Sequence, residues 1–225
     1  MKNSIMIIAI TLFSWFTIFA QLRGSGKTVT KTYDYQNFDK VIFNDVDGKL
    51  EIEVGKPFSI TIVIDDNLLN LLSVNENTDN KKLIIALSGN QNNKKYIENT
   101  KIKILITIPI LTEVVNNGNT SLLVSNINTR NFKSENPVNG STTLLGTADN
   151  LEIICRGNGN LSAGKLITKI ANVICSGNGN AKVNVSESIT AIVSGNGNIQ
   201  NSGKAQFSSD SKTTGNGSLN GKKRM

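Results

Sequence analysis

Between residues 29 and 113 the chain alternates apolar and polar positions. VIFND (41–45), KLEIEV (49–54) and FSITIVI (58–64) have period-two or continuous apolar patterns, separated by turn formers at Asp47-Gly48 and Gly55-Lys56-Pro57. A strand sends successive side chains to opposite faces, so these segments predict buried or half-buried strands. KKLIIAL (81–87) and KIKILITIP (101–109) repeat the pattern. DNLLNLL (66–72) departs from it and predicts one short helix, with Asp66 as its cap. SGNQNNKKYIEN (88–99) is polar without periodicity and reads as a mobile loop.

From about residue 114 a second, longer period takes over. Gly-Asn or Gly-Ser pairs fall at 118, 140, 159, 179, 197 and 217, giving spacings of 22, 19, 20, 18 and 20. A period near 20 predicts a solenoid in which each repeat is one coil. The coil at 161–175 holds three β-prone pieces, LSA, LIT and ANVIC, with bends at Gly164 and at Lys169 to Ala171. Asn-Gly is also the strongest hairpin signal, so a meander is the structural rival. A meander of strands this short needs a turn about every 8–12 residues. Here the signature returns only every twentieth, which favours a parallel β-helix.

The predicted corners are Gly118-Asn119, Gly140, Gly157-Asn158-Gly159-Asn160, Gly177-Asn178-Gly179-Asn180, Gly195-Asn196-Gly197-Asn198 and Gly215-Asn216-Gly217. Each stacked coil must turn in little space there; glycine takes positive φ at low steric cost, and Asn tolerates that region. Each Asn amide is expected to donate to the next coil and accept from the previous one, forming a ladder. These corners are therefore explained as architecture. Phosphate binding lacks a following helix and a partner Lys, and solenoid calcium sites need aspartates that these corners do not carry.

Cys155 and Cys175 sit one repeat apart at equivalent positions, and Val193 takes that place in the third coil. Leu151, Ile153 and Cys155 alternate on one face, predicted to point inward, while Ile154, Ile174 and Ile192 make an aliphatic row on the other. Stacked strands bring the cysteines within disulfide range, and two free buried thiols fit the same position.

The ends and the charge add further constraints. Met1-Lys2-Asn3, an apolar run from Ile5 to Phe19 and Ala20-Gln21 read as a cleaved secretory signal, residues 1–20. No span of the membrane is expected once it is removed. GSGKT (24–28) resembles the end of a P-loop, but Gln21 stands where the first glycine belongs and a β-prone run follows. Residues 21–32 therefore read as a flexible start, and 221–225 as a basic tail. The formal charge is +7, yet the basic residues are scattered, and no aromatic-interleaved patch suggests nucleic acid. The chain has no histidine, which removes His-based triads and His-containing zinc sites. In 114–225 the acids Glu135, Asp149, Glu152, Glu187 and Asp210 neither cluster nor share a register, so no carboxylate pair for glycan cleavage emerges. No catalytic residue, metal site or cofactor is expected. Phe132 and Phe207, the aromatics of the repeats, read as core or cap residues rather than sugar platforms.

YDYQNFDKVIF (33–43), GKLEIEV (48–54), ITIVIDDNLLNLL (60–72), KLIIAL (82–87), ITIPIL (106–111) and the recurrent G-N-G-N corners resemble the bacterial putative auto-transporter adhesin family with the head GIN domain. Asn stands where the family's corners usually carry Ser, and the Asp that follows them is missing. The resemblance implies a right-handed single-stranded β-helix over 33–220, with a less regular β-rich part at 33–113 and repeat coils at 114–220. It also implies an exported protein of a Gram-negative, Bacteroidetes-like cell, in the periplasm or at the surface. The expected role is a non-enzymatic adhesin or interaction module meeting a protein or glycan. The alternatives are a structural envelope rod and a polysaccharide-active enzyme.

Overall fold

The computed structural model describes residues 22–88 and 97–221. The expected signal, most of the 88–99 loop and the KKR cluster at 222–224 lie outside them. The elements in chain order are β1 (Leu22–Arg23), β2 (Thr28–Tyr33), β3 (Lys40–Asn44), β4 (Lys49–Val54), β5 (Ser59–Asp65), a 3-10 helix (Asp66–Leu71), β6 (Leu72–Asn77), β7 (Lys82–Leu87), β8 (Ile97–Glu98) and β9 (Lys103–Ile108). They continue with β10 (Glu113–Asn117), β11 (Ser121–Asn136), β12 (Ser141–Cys155), β13 (Leu161–Cys175), β14 (Ala181–Ser194), β15 (Asn198–Asn201), β16 (Lys212–Thr214) and β17 (Ser218–Asn220). The described chain is all-β apart from that single helix.

The long strands β11 to β14 pair in sequence order, each parallel to the next. Leu151 pairs with Ala171, and Ala171 with Ile189, so each residue meets its counterpart one repeat along. Hairpins would pair these strands antiparallel, and none of these pairs does so. The three pieces expected at 161–175 form one continuous strand. Its register with β14 shifts between Ser162 and Ile167 and between Thr168 and Ile170, around the expected bends.

The N-terminal elements extend the same sheet. β10 pairs parallel with β3, and β3 with β7, while β11 pairs with β4 and β4 with β9. Residues 40–54 are therefore inserted between the 82–108 strands and the repeats, so stacking order differs from chain order here. The pairing runs across the expected junction at 113/114. Beyond it, β5 pairs antiparallel with β2 and β9, and β6 pairs antiparallel with β7.

Two local expectations change. Residues 21–32, read as flexible, contain β1 and β2, and all of β2 from Thr28 to Tyr33 is in register with β5. The anchor is Asp65, fully buried, whose carboxylate accepts from Gly26 N–H (2.8 Å) and Lys101 N–H (2.6 Å). Asp66 does not cap the helix. Asp65 holds the cap position without a side-chain cap bond, and Asp66 instead accepts from Ser25 Oγ at 2.5 Å.

One continuous core runs through the stack. Its N-terminal part is built from large residues, including Phe43, Ile52, Ile62, Ile64, Leu83, Ile85, Ile104 and Ile106. In the repeats smaller residues such as Ala163, Ala171, Val173, Ala181, Val183, Ala191 and Val193 stand among Leu144, Leu151, Ile153, Leu161, Leu166 and Ile189.

Candidate binding surface

The corners are set by contact between backbones. A Cβ added to Gly179 would lie 2.0 Å from the carbonyl oxygen of Gly159, and one on Gly197 would lie 2.0 Å from that of Gly179. Gly159 over Gly140 (1.9 Å) and Gly217 over Gly197 (2.0 Å) continue the column. Backbone bonds cross the same gap, with Gly197 N–H donating to Gly177 C=O at 3.0 Å and Gly217 N–H to Gly195 C=O at 2.9 Å. One expected reason for glycine, positive φ, does not hold for most of these positions. Among the corner glycines Gly215 has φ of 112° and Gly195 reaches 159°, at the edge of extended backbone; no corner Asn has positive φ. Space, not dihedral freedom, excludes a side chain.

Two columns of asparagine run along the outside of these corners. Asn158 Nδ2 donates to Asn139 Oδ1, Asn178 to Asn158 and Asn196 to Asn178, each at 2.7 Å. Asn216 extends the column onto Asn196 at 3.1 Å, and Asn139 onto Asn119 at 3.4 Å. In the second column Asn180 donates to Asn160 (3.1 Å) and Asn198 to Asn180 (3.0 Å), ending with Ser218 Oγ on Asn198 at 2.6 Å. Each Oδ1 of Asn160 and Asn180 also accepts a backbone N–H from the following coil. The amides donate to the previous coil, the reverse of the expected direction. They are solvent-exposed rather than buried, apart from half-buried Asn198.

Sequence reasoning missed a third set of asparagines, which face inward. Asn116 Nδ2 donates to Thr120 C=O, Asn136 to Gly140 C=O and Asn201 to Ala205 C=O, each four residues ahead across a corner. Thr142 Oγ donates to Asn136 Oδ1 at 2.8 Å. A buried amide with these partners staples the turn, although Asn116 Oδ1 is buried without a partner. The signal lay in NNGNT, NPVNG and NSGKA, where an Asn precedes the accepting residue by four.

Cys155 and Cys175 occupy the same inward row. Asn136 pairs with Cys155, Cys155 with Cys175, and Cys175 with Val193. Both are free thiols, 2% and 1% exposed. The hydrogen bond to Cys175, together with burial, holds the Cys155 thiol far above its ordinary range, which leaves it uncharged. Leu151, Ile153, Ala171, Val173, Ile189 and Ala191 are buried as predicted; of the outer row Ile174 and Ile192 are half-buried, while Ile154 is buried without joining the core.

The outer face opposite the core carries charge in rows. Lys40, Glu113, Lys133 and Glu152 are successive register partners, followed by Asn172 and Thr190. Lys133 lies 2.5 Å from Glu135 and 3.6 Å from Glu113; the hydrogen bond to Glu135 raises its pKa most, against some desolvation. This row borders an open groove of about 860 Å³ along the strands, with Ile170, 46% exposed, as an apolar patch. Glu113 and Glu135 both reach Lys133, with Glu152 adding its charge there. Glu135 meets Lys133 and Arg156, Asp149 pairs with Lys169 at 2.7 Å, Glu152 lies in the charged row, and Glu187 and Asp210 are exposed. Among the described residues no group of three or more Cys, Asp or Glu is placed to hold a metal ion. Phe132 is buried and Phe207 half-buried, bridging to Ile189. Among the described residues no helix is long and apolar enough to cross a membrane.

The profile of one family, described as putative auto-transporter adhesin, head GIN domain, matches residues 37–205. A putative adhesin from Bacteroides fragilis NCTC 9343 has a similar structure, with a TM-score of 0.66 at 21% identity over 89% of this chain and 99% of its own. A structure from Parabacteroides distasonis ATCC 8503, described as a putative lipid binding protein, reaches a TM-score of 0.51 at 21% identity, covering 90% and 100% of the two chains. No curated protein matches the chain. At these identities the two structures speak for the fold. The family match spans well over half of the chain, and the chain belongs to the putative auto-transporter adhesin family with the head GIN domain.

Proposed function

From that membership we propose that the chain is an exported, non-enzymatic interaction module of the cell envelope, built as a right-handed single-stranded parallel β-helix. The solenoid reading draws support from parallel pairing at one-repeat offsets, with one long strand per repeat over β11 to β14. The domain spans residues 33–220, and residues 1–20 are its export signal. Cleavage is placed after Ala20, and among the described residues no helix is long and apolar enough to cross a membrane.

The observation that carries the binding role is the outer face of the stack. Parallel register turns single residues into rows, so Lys40, Glu113, Lys133, Glu152, Asn172 and Thr190 form one line beside the large groove. Rows of polar groups at strand spacing, about 4.8 Å, suit an extended partner that makes many weak hydrogen bonds. A protein segment or a glycan at the envelope has that chemistry. Catalysis draws no support from this arrangement, since Glu113 and Glu135 share Lys133 as their ion-pair partner and Asp149 pairs with Lys169.

A specific observation favours a second reading, a structural rod without a dedicated ligand. The asparagine columns spend much of their hydrogen-bonding capacity on each other. Such a surface stiffens the stack without needing a partner.

Protease shaving of intact cells, with an epitope near Asn92 and a periplasmic marker as control, tests the surface location. Cleavage with the marker intact places the module outside the cell and is expected for an adhesin. Protection until the outer membrane is broken overturns the adhesive role and directs the search to a periplasmic partner. Saturable binding to envelope glycans, proteins or lipid vesicles then separates a binder from a rod; a Lys133→Glu variant weakens a partner seated on the charged row.

A further inference from the structure

We propose that Cys155 and Cys175 close a disulfide that ties two consecutive strands of the stack together in the exported protein. The source of the oxidant rests on the export reading above; the pairing itself rests on geometry.

The two residues are register partners on the neighbouring parallel strands β12 and β13. Neighbouring strands lie about 4.8 Å apart, inside the roughly 4.4–6.8 Å Cα separation that a disulfide bridges. Both side chains point into the same interior row, where they are register partners and almost fully buried. The neighbours in that row are Asn136 on one side and Val193 on the other, neither of which competes for a thiol. The sequence has two cysteines in all, so one intramolecular pairing exists. Val193 in the equivalent place shows that the row accepts an aliphatic side chain of similar size, so packing alone does not call for two thiols side by side.

The oxidant is a disulfide, either a small-molecule disulfide or an exported thiol–disulfide oxidoreductase. One cysteine attacks it as the thiolate, forming a mixed disulfide and releasing one reduced thiol. The second cysteine then displaces the other thiol as the Cys155–Cys175 bond forms. Two cysteine thiols lose two electrons, the oxidant gains them, and both S–H protons end on the released thiols. Burial dictates the order of events. In the closed stack both sulfurs are shielded from an external disulfide, so exchange takes place while β12 and β13 are still coming together. Once the stack closes, the same shielding protects the bond from reductants.

The test uses the full mature chain, unfolded under reducing conditions and refolded in a reduced/oxidised glutathione buffer. The expected product is lighter by two hydrogens and takes up no maleimide in denaturant. Its thermal midpoint is higher than that of protein kept reduced by roughly 6–12 °C. A Cys155→Val/Cys175→Val double variant keeps the packing and has a midpoint insensitive to redox conditions. An unchanged mass with two titratable thiols, or a disulfide-linked dimer, overturns the pairing. A second arm alkylates the protein in its own cells. If the bond forms on refolding while both thiols are free in cells, the export reading fails, and the bond in the cell fails with it.

Discussion

The N-terminal strands and the repeats share one continuous sheet but are held together differently. Around β3, β4, β7 and β9 the core is filled by bulky side chains, with Phe43, Leu83, Ile85, Ile104 and Ile106 all fully buried. Burying one such side chain contributes about 1.5–3 kcal/mol. In β13 and β14 the inward rows are mostly Ala, Val and Cys, with Leu161, Leu166 and Ile189 among them, and the corner backbones touch. There the glycine column and the asparagine columns supply what side-chain volume does not. Parallel stacking is thus reached in one region by volume and in the other by repetition of backbone contacts.

The largest expected effect breaks the repeat side of this comparison. Gly179→Val places a branched side chain against the Gly159 carbonyl, which belongs to backbone and has nowhere to move. We expect a loss of at least about 4 kcal/mol, or failure to fold, in urea unfolding followed by circular dichroism. Gly55→Ala is the control: open space surrounds Gly55 and only its φ of 87° resists a side chain, so the cost is about 1 kcal/mol.

The N-terminal side is broken by removing volume. Ile104→Ala is expected to cost about 2–5 kcal/mol in the same measurement. Ala171→Gly, by contrast, removes so little volume from the repeat core that its cost should stay near 1 kcal/mol.

A smaller effect sharpens the role of the columns. Asn178→Ala removes the donor to Asn158 and the acceptor for Asn196. Because the column is exposed, water replaces part of what is lost, and we expect a cost of about 0.5–1.5 kcal/mol. The same substitution at Asn116, inside the stack, should cost no more, because the Thr120 carbonyl keeps the Ser141 N–H and an unpaired buried Oδ1 is removed along with the donor.

The smallest effect is electrostatic. The hydrogen bond from Lys169 lowers the pKa of Asp149, and the bond to Asp149 raises that of Lys169. A lowered carboxyl pKa gives stability that is complete above its ordinary value of 3.8 and is lost as pH falls through the folded value. A raised ammonium pKa gives stability that is complete below 10.5 and is lost as pH rises through the folded value. Asp149→Asn should therefore remove a small, salt-sensitive increment between those limits, read from thermal midpoints at low and high salt.

Much of this was legible in the letters because repetition writes itself directly into sequence. The near-20 spacing located the corners, and the alternation of Leu151, Ile153 and Cys155 gave the inward face. Alternation likewise placed β4, β5, β7 and β9 to within a residue or two. What stayed hidden depended on partners distant in sequence. Nothing local to residues 40–54 says that they sit between 82–108 and the repeats, since Lys40 meets Glu113 far along the chain. The glycines were foreseen from the little space at a stacked corner and from positive φ, and only the first reason holds for most of them. Residues 21–32 looked loose because their anchor, Asp65, lies in another strand. The binding surface was legible only as polar faces; the charged row exists through register, which a single strand does not reveal.

The most direct test of stacked, interchangeable coils is excision. Deleting residues 156–175 joins Cys155 to Ser176 and brings Val193 over Cys155, one whole repeat lower. In a solenoid this variant keeps its β-sheet circular dichroism and a cooperative unfolding transition, at a somewhat lower midpoint. Deleting residues 156–165, half a repeat, puts corners over strands and destroys both. The contradicting result is loss of the cooperative transition in the whole-repeat deletion, or the same outcome for the two deletions.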